Sequence, residues 1–133
     1  MKLGIHEQGI VAEQQARQWL MGKGITNLQQ LDWLFKSNNK YFCVECKSRE
    51  LFEPPPFWGT GMDKSQLKLR SQLMADLGID TVLLVYETGT KNIYWQMLSQ
   101  LEKKESFDTK NDIRIYNIES FHKEVSPNPP EAP

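Results

Sequence analysis

The 133-residue chain carries 16 basic and 17 acidic side chains, a formal net charge of −1, so any nucleic-acid contact must come from local basic clusters and not from a global basic excess. At this length one domain is expected, large enough to bury about two-thirds of its unfolded surface, and 39% hydrophobic with 25% charged residues is the balance of a soluble globular protein. No apolar run has the length of a membrane span and Met1 to Gln8 lacks a signal peptide's apolar stretch, so the expected location is cytoplasmic, with no membrane partner.

Residues 4–22 read as an amphipathic helix. Ile5, Gly9, Ala12, Ala16, Trp19 and Leu20 fall on one arc, the apolar stripe of a core-facing helix, and the small residues among them would let it lie close to a sheet. Glu13 sits at the border of that stripe, whereas Glu7 lies opposite, so Glu13 is the acid that could reach into a site; a helix-edge glutamate in solvent is the plainer alternative. Gly22-Lys23-Gly24 ends the helix.

Ile25 to Leu28 is a short strand candidate and Leu31 to Lys36 a stronger one, with Leu31, Trp33 and Phe35 on one face and Asp32 on the other beside Leu34. Ser37-Asn38-Asn39-Lys40 is a turn by composition and joins this strand to Tyr41–Lys47 as a hairpin. Strand alternation puts Tyr41, Cys43, Glu45 and Lys47 on one face and the wholly apolar set Phe42, Val44 and Cys46 on the other, which predicts a core strand. An unpaired charge buried there would cost several kcal/mol. A divalent cation and a cross-strand ion pair are the two ways to compensate Glu45 and Lys47. Asp32 lies one hairpin away from Glu45, and two carboxylates at one place repel unless a cation holds them. Mg²⁺ suits such a site: hard oxygens, one or two carboxylates, and phosphate and water for the rest.

Acid-x-Lys also occurs at Glu102/Lys104 and Asp108/Lys110, in a polar stretch with no strand pattern that reads as solvated surface. Cys43 and Cys46 spell C-x-x-C, but three residues apart in a strand they point to opposite faces, so two small buried thiols are expected.

Ser48 to Met62 reads as a long loop, broken by Pro54-Pro55-Pro56 and ending in Gly59-Thr60-Gly61. Phe57 and Trp58 at its tip would either pin the loop to the body or stack on a base. Residues 63–77 form a second helix, with Asp63 and Gln66 at the positions of a capping box and Gly78 as its stop. Leu67, Leu69, Leu73, Met74 and Leu77 define its buried arc; Lys64, Lys68, Ser71, Gln72 and Asp76 lie outside it. Gln66 and Arg70 fall inside the arc and need partners there. Capping or a polar cleft would satisfy Gln66; the cleft is the favoured reading for Arg70, since capping does not explain it.

Thr81–Glu87 is almost continuously apolar, as in a strand covered on both faces, and completes a β-α-β crossover with the central strand. Asn92–Leu98 is a further strand, Asp112–Ile118 an edge strand, and Ser120 the N-cap of a short helix through Lys123. Residues 1–125 are expected as one domain and the Pro-rich residues 126–133 as a disordered tail.

With Glu13, Asp32, Glu45 and Lys47 in this order, the chain resembles the PD-(D/E)XK nuclease superfamily, especially its small members similar to Holliday junction resolvases. Gly9 to Leu20 resembles the family's first helix, Leu31-Asp32-Trp33-Leu34 its metal-ligand strand, Val44-Glu45-Cys46-Lys47 its acid-x-Lys strand, and Gln66 a glutamine of the following helix. The resemblance covers residues 4–87. Leu31 stands where the family's Pro would precede Asp32, and the basic excess common in junction resolvases is absent.

The resemblance implies an α/β fold with a restriction endonuclease-like core, a mixed central β-sheet flanked by helices in the order α-β-β-β-α-β, then extra strands. It implies Mg²⁺-dependent hydrolysis of a DNA phosphodiester, with Mn²⁺ able to substitute. Asp32, Glu45 and the main-chain carbonyl of Cys46 would hold the cation, and Glu13 would bind it through water or help to hold a second ion. Lys47 would orient the attacking water, Gln66 and Arg70 would position the scissile strand, and Arg49, Lys64 and Lys68 would meet neighbouring phosphates. Two alternatives stay open: a catalytically silent DNA- or protein-binding module on the same fold, and an α/β interaction protein whose acids are salt-bridge partners. Symmetric cutting would want a homodimer, for which Tyr94-Trp95 and the Phe57-Trp58 loop are the candidate interfaces.

Overall fold

Residues 4–25 and 28–125 are described by a computed structural model, which divides into two units, Met1–Gln30 and Leu31–Pro133. The tail expected from Ser126 lies outside the described residues. Among the described residues no helix is long and apolar enough to cross a membrane.

The first unit is built on helix α1 (Ile5–Gly22), at the predicted place and length. Its end is closed by the Lys23 N–H, which donates to the carbonyls of Trp19 and Leu20, and by Gly24 at φ 88°. The stripe expected to face a core is not enclosed: Gly9, Ala12, Ala16 and Trp19 are exposed and Leu20 is half-buried. Within this unit only one short segment accompanies the helix, and a single helix cannot wrap a core around itself. Of the short strand expected at 25–28, Ile25 and Leu28 are irregular, and residues 26–27 lie outside the described set.

The second unit begins with a hairpin of β1 (Trp33–Ser37) and β2 (Lys40–Arg49), antiparallel with Ser37 opposite Lys40. Its turn is the one the composition predicts. Asn38 and Asn39 have φ of 51° and 64°, the two positive values that a tight hairpin loop needs and that Asn tolerates better than most residues. β1 is an edge strand exposed along its whole length, Trp33 and Phe35 included, so the apolar face expected for it is not buried. Phe35 instead stacks on its cross-strand partner Phe42, ring centroids 5.3 Å apart.

The loop expected to run to Met62 ends earlier. After an isolated bridge between Phe52 and Gly59, strand β3 (Gly59–Asp63) leads directly into helix α2 (Lys64–Leu77). β4 (Asp80–Glu87) then pairs parallel with β2, so the predicted β-α-β unit is present. β5 (Asn92–Met97) follows antiparallel to β4 and runs into the one-turn helix α3 (Leu98–Leu101). β6 (Ser106–Asp108), β7 (Ile113–Asn117) and β8 (His122–Val125) complete the unit.

Two sheets result, one of five strands in the order β1-β2-β4-β5-β8 and one of three in the order β3-β7-β6. The segment expected as an edge strand at 112–118 is thus the centre of the second sheet. The glycines of 59–63, which read as loop, are what that pairing requires: a Cβ on Gly61 would overlap the Arg114 carbonyl oxygen, and one on Gly59 the carbonyl oxygen of Tyr116. The short helix expected from Ser120 is replaced by a 3-10 turn at Ile118–Ser120 followed by β8. Asn117 caps that turn by accepting from the Glu119 N–H, and the freed chain pairs with the open edge of β5.

The core lies on one face of the large sheet. Leu83, Val85 and Tyr94 from that sheet pack with Leu67 of α2, Leu98 and Leu101 of α3, and Met62 and Tyr116 of the small sheet. Tyr94, a candidate interface residue by sequence, therefore belongs to the core. On β4 only the alternate residues Thr81, Leu83 and Val85 are buried, while Val82, Leu84 and Tyr86 are half-buried. Coverage of β4 on both faces is accordingly not found in this unit. The Phe42, Val44 and Cys46 face of β2 is likewise half-buried, whereas Cys43 and Glu45 are buried. The polar face of β2 is the covered one because α2 lies over it and brings the groups that its charges need.

Candidate active site

β2 presents Cys43, Glu45 and Lys47 on one face, and α2 answers each charge from above. Arg70 donates from Nε to Glu45 Oε1 at 2.7 Å and from Nη2 to the same oxygen. Both residues are buried, Glu45 at 4% and Arg70 at 5% exposure, so each supplies the countercharge without which the other could not be there. Lys47 Nζ donates to Gln66 Oε1 at 2.8 Å. The match between helix and strand is metrical. Gln66 and Arg70 are one helical turn apart, a rise of about 6 Å, and Glu45 and Lys47 are two strand residues apart, about 6.6 Å. A helix running back along the strand thus grips both residues of the acid-x-Lys pair at once.

The capping box expected at the start of α2 is absent. Asp63 is the N-cap residue but makes no side-chain cap hydrogen bond, and the Gln66 carbonyl oxygen is taken by Lys47. A cationic donor outcompetes a neutral backbone N–H for that oxygen. The buried arc of α2 is also narrower than the wheel suggests: Leu67 and Arg70 are buried, whereas Leu69, Met74 and Leu77 are exposed.

Asp32 precedes β1 at a bend and is exposed; its Oδ2 accepts the Cys46 N–H at 2.9 Å. The hairpin so carries one carboxylate to the backbone next to the other. Both act on the Cys46 thiol, which is pushed up first by burial and then by the negative charges of Asp32 and Glu45. Cys43 is also pushed up by burial, opposed by its 2.9 Å hydrogen bond with Thr81 and by the Arg70 charge. Both cysteines are free thiols; Cys43 is buried as expected, whereas Cys46 is half-buried.

The remaining candidates are placed as follows. Glu13 belongs to the first unit, where its Oε2 faces Gln30 Nε2 at 3.5 Å while Arg17 faces Gln30 Oε1 at the same distance. Arg49 is half-buried at the end of β2 and Lys68 is exposed on α2. Lys64 pairs with Asp108 at 3.2 Å, and Asp108 also accepts from Arg114 Nε at 2.9 Å. These bridges are exposed, which keeps them weak. Lys104, Glu102 and Lys110 are exposed, in keeping with solvated surface. Phe57 packs edge-to-face on Phe107, centroids 5.4 Å apart, while Trp58 is half-exposed and its carbonyl accepts the Ile118 N–H at 2.8 Å. That is the pinned loop, not a free stacking tip.

Two polar positions carry no signal in the sequence pattern. Thr81 beside Cys43 is one more β-branched residue in a strand rich in them. Thr60 is fully buried, and its Oγ1 has no hydrogen-bond partner; it lies in a stretch that reads as loop.

Asp32 and Glu45 each commit one carboxylate oxygen to a protein donor. On Glu45 it is Oε1 that takes both Arg70 donors. No group of three His, Cys, Asp or Glu side chains placed to hold a metal occurs among the described residues. A cation here would therefore take two carboxylates and complete its shell from the main chain, water and phosphate, which is the habit of Mg²⁺.

Fold and site together define a mixed α/β protein with an acid–lysine pair clamped between a parallel strand pair and its crossover helix. The chain matches no protein-family model, no curated protein and no solved structure.

Proposed function

We propose that the chain is a metal-dependent DNA endonuclease of the PD-(D/E)XK type, with β1, β2, α2 and β4 in its restriction endonuclease-like core. The observation that carries this reading is the meeting of Asp32 with the Cys46 backbone next to Glu45 and Lys47. It brings two carboxylates and an ammonium to one end of one hairpin.

Asp32, Glu45 and the Cys46 carbonyl are the oxygens that would hold Mg²⁺ or Mn²⁺, and when bound the ion would polarise the phosphate and lower the pKa of the attacking water. Asp32, tied to the Cys46 N–H, keeps its carboxylate oriented across the hairpin. Lys47 donates toward the attacking water and the charge that builds on the phosphate oxygens, a role that needs a fixed donor. Gln66 fixes it by holding one of the three Nζ protons at 2.8 Å. Arg49 and Lys68 are the basic residues assigned to neighbouring phosphates, contacts that would add affinity without sequence information.

A second reading has one observation in its favour. Arg70 already neutralises Glu45, as in a silent module that keeps the fold for binding alone. Cleavage of a labelled panel of four-way junction, flap, linear duplex and single strand, in Mg²⁺, Mn²⁺ or EDTA, separates the two. Metal-dependent cutting lost in Lys47→Ala supports the nuclease and names its substrate; DNA binding without cutting supports the module.

A further inference from the structure

We propose that strand β1 is a docking edge for a second copy of this chain, whose own β1 pairs with it antiparallel about a two-fold axis through Leu34. The proposal does not depend on the nuclease reading. The five-stranded sheet has two edges, β1 and β8. β8 is exposed along its length and carries Lys123 and Glu124, and charged side chains are a usual protection of an open edge. β1 is differently made. Trp33, Leu34 and Phe35 are 63%, 52% and 40% exposed, Lys36 is the one charge within the strand, and its register with β2 runs without a bulge. An unpaired row of N–H and C=O groups beside three exposed apolar side chains is a template for another strand.

The hairpin fixes which backbone groups the edge offers. A two-residue loop closes on a pair that exchanges both of its backbone hydrogen bonds, and bonded pairs alternate from there. Ser37 opposite Lys40, Phe35 opposite Phe42 and Trp33 opposite Val44 are therefore turned to β2, and Leu34 and Lys36 turn their N–H and C=O outward. Only registers that set these outward residues against each other bond two copies. Pairing about Lys36 would oppose two ammonium groups, and pairing about Phe35 would set each Lys36 against a Leu34. Pairing about Leu34 sets Trp33 against Phe35 of the second copy twice, on the open apolar face of the sheet, and Lys36 against Asp32 of the second copy twice. Aromatic pairs and opposite charges directly across two strands each stabilise the pairing. Asp32 and Lys36 are both exposed, with Asp32 accepting the Cys46 N–H and Lys36 Nζ 5.7 Å from the Tyr41 ring centroid. Such a pair closes on itself, whereas β1 on β8 of another copy would build an open chain of molecules.

The test is the mass of the full chain by sedimentation over a dilution series from about 1 mM to about 1 μM, read together with amide hydrogen exchange by NMR. The pairing is short, so the expected dimer, at twice the 15.5 kDa of one chain, separates at the dilute end. In the dimer the amides of Leu34 and Lys36 are expected to exchange about tenfold more slowly than in the monomer, while those of Trp33 and Phe35, bonded to β2, stay protected throughout. Leu34→Lys, which puts two ammonium groups on the axis, should give a monomer with the circular dichroism of wild type. Lys36→Glu, which opposes two pairs of acids, should weaken the dimer about tenfold. A wild type that stays monomeric, a dimer whose Leu34 and Lys36 amides exchange freely, protection of those amides in the monomer, or a Lys36→Glu dimer as tight as wild type overturns the proposal. Should Leu34→Lys fail to fold, the concentration dependence of the wild-type amides decides.

Discussion

Arg70 and Glu45 meet in the buried layer between α2 and β2, with two guanidinium nitrogens on one carboxylate oxygen. Removing Glu45 takes from Arg70 its carboxylate countercharge in a poorly solvated place. Glu45→Ala is therefore expected to lower the unfolding free energy by about 3–5 kcal/mol. Replacing both, as Glu45→Met with Arg70→Leu, is expected to recover most of that loss, because the desolvation cost disappears along with the attraction. Urea unfolding of the two variants checks this; equal losses in the single and double variants would contradict it.

Lys47 is held at 2.8 Å by Gln66 and contributes charge more than packing. On the proposed nuclease reading, Lys47→Ala is expected to lower single-turnover cleavage by about 10²–10³-fold, the range for losing one fixed donor to developing charge, with little change in stability. Gln66→Ala leaves the ammonium present but unguided, so its loss of rate should be smaller and should vanish in the Lys47→Ala background. Additive losses in the double variant would mean that Gln66 acts on substrate independently of Lys47.

Gly61 faces the Arg114 carbonyl oxygen across the β3–β7 pair with no room for a side chain. Gly61→Ala must move β3 away from β7, at about 1–3 kcal/mol for overpacking of this kind. Because α2 starts where β3 ends, the variant should also displace Gln66 and Arg70 and so lower the cleavage that the proposed function expects. Thermal unfolding and a cleavage assay on one preparation report both effects, and an Ala variant as stable as wild type would refute the β3–β7 register that sets Gly61 against Arg114.

Asp108 bridges α2 and the small sheet through Arg114 and Lys64. Its hydrogen bond from Arg114, then that from Lys64, holds the carboxyl below the ordinary carboxylate range. A lowered folded-state value means that its contribution to stability is fully present above the unfolded value and is lost as pH falls through the folded one. Carboxyl-carbon NMR should therefore find Asp108 titrating at lower pH than an exposed unpaired Asp, and Asp108→Asn should remove its share of the acid sensitivity. A midpoint at the ordinary value would rule this out.

Local rules make much of this protein legible in its sequence. Asn38-Asn39 specified the hairpin because few residue pairs accept two positive φ values. The helical period and Gly78, at φ 69°, bounded α2, and the apolar run at 81–87 placed β4 beside β2. The faces of β2 followed from alternation alone, and with them the nearness of Glu45 to Lys47. The short turn between their strands put Asp32 near the 44–47 stretch in advance, whereas its bond with the Cys46 N–H was not foreseen.

What the tertiary structure decided was which face is covered and who neutralises whom. The strand at 41–47 has an apolar face and a mixed one, and the obvious expectation buries the first. α2 instead covers the mixed face, because Arg70 and Gln66, one helical turn apart, compensate the charges buried there. The countercharge of Glu45 comes from a residue 25 positions away, and no local pattern encodes that distance. The second sheet was hidden for the same reason: Gly59 and Gly61 look like loop until Arg114 and Tyr116 are brought against them. Periodicity and turn chemistry act between near neighbours and can be read along a line. Charge compensation and close backbone approach act across the fold and exist only once it has formed.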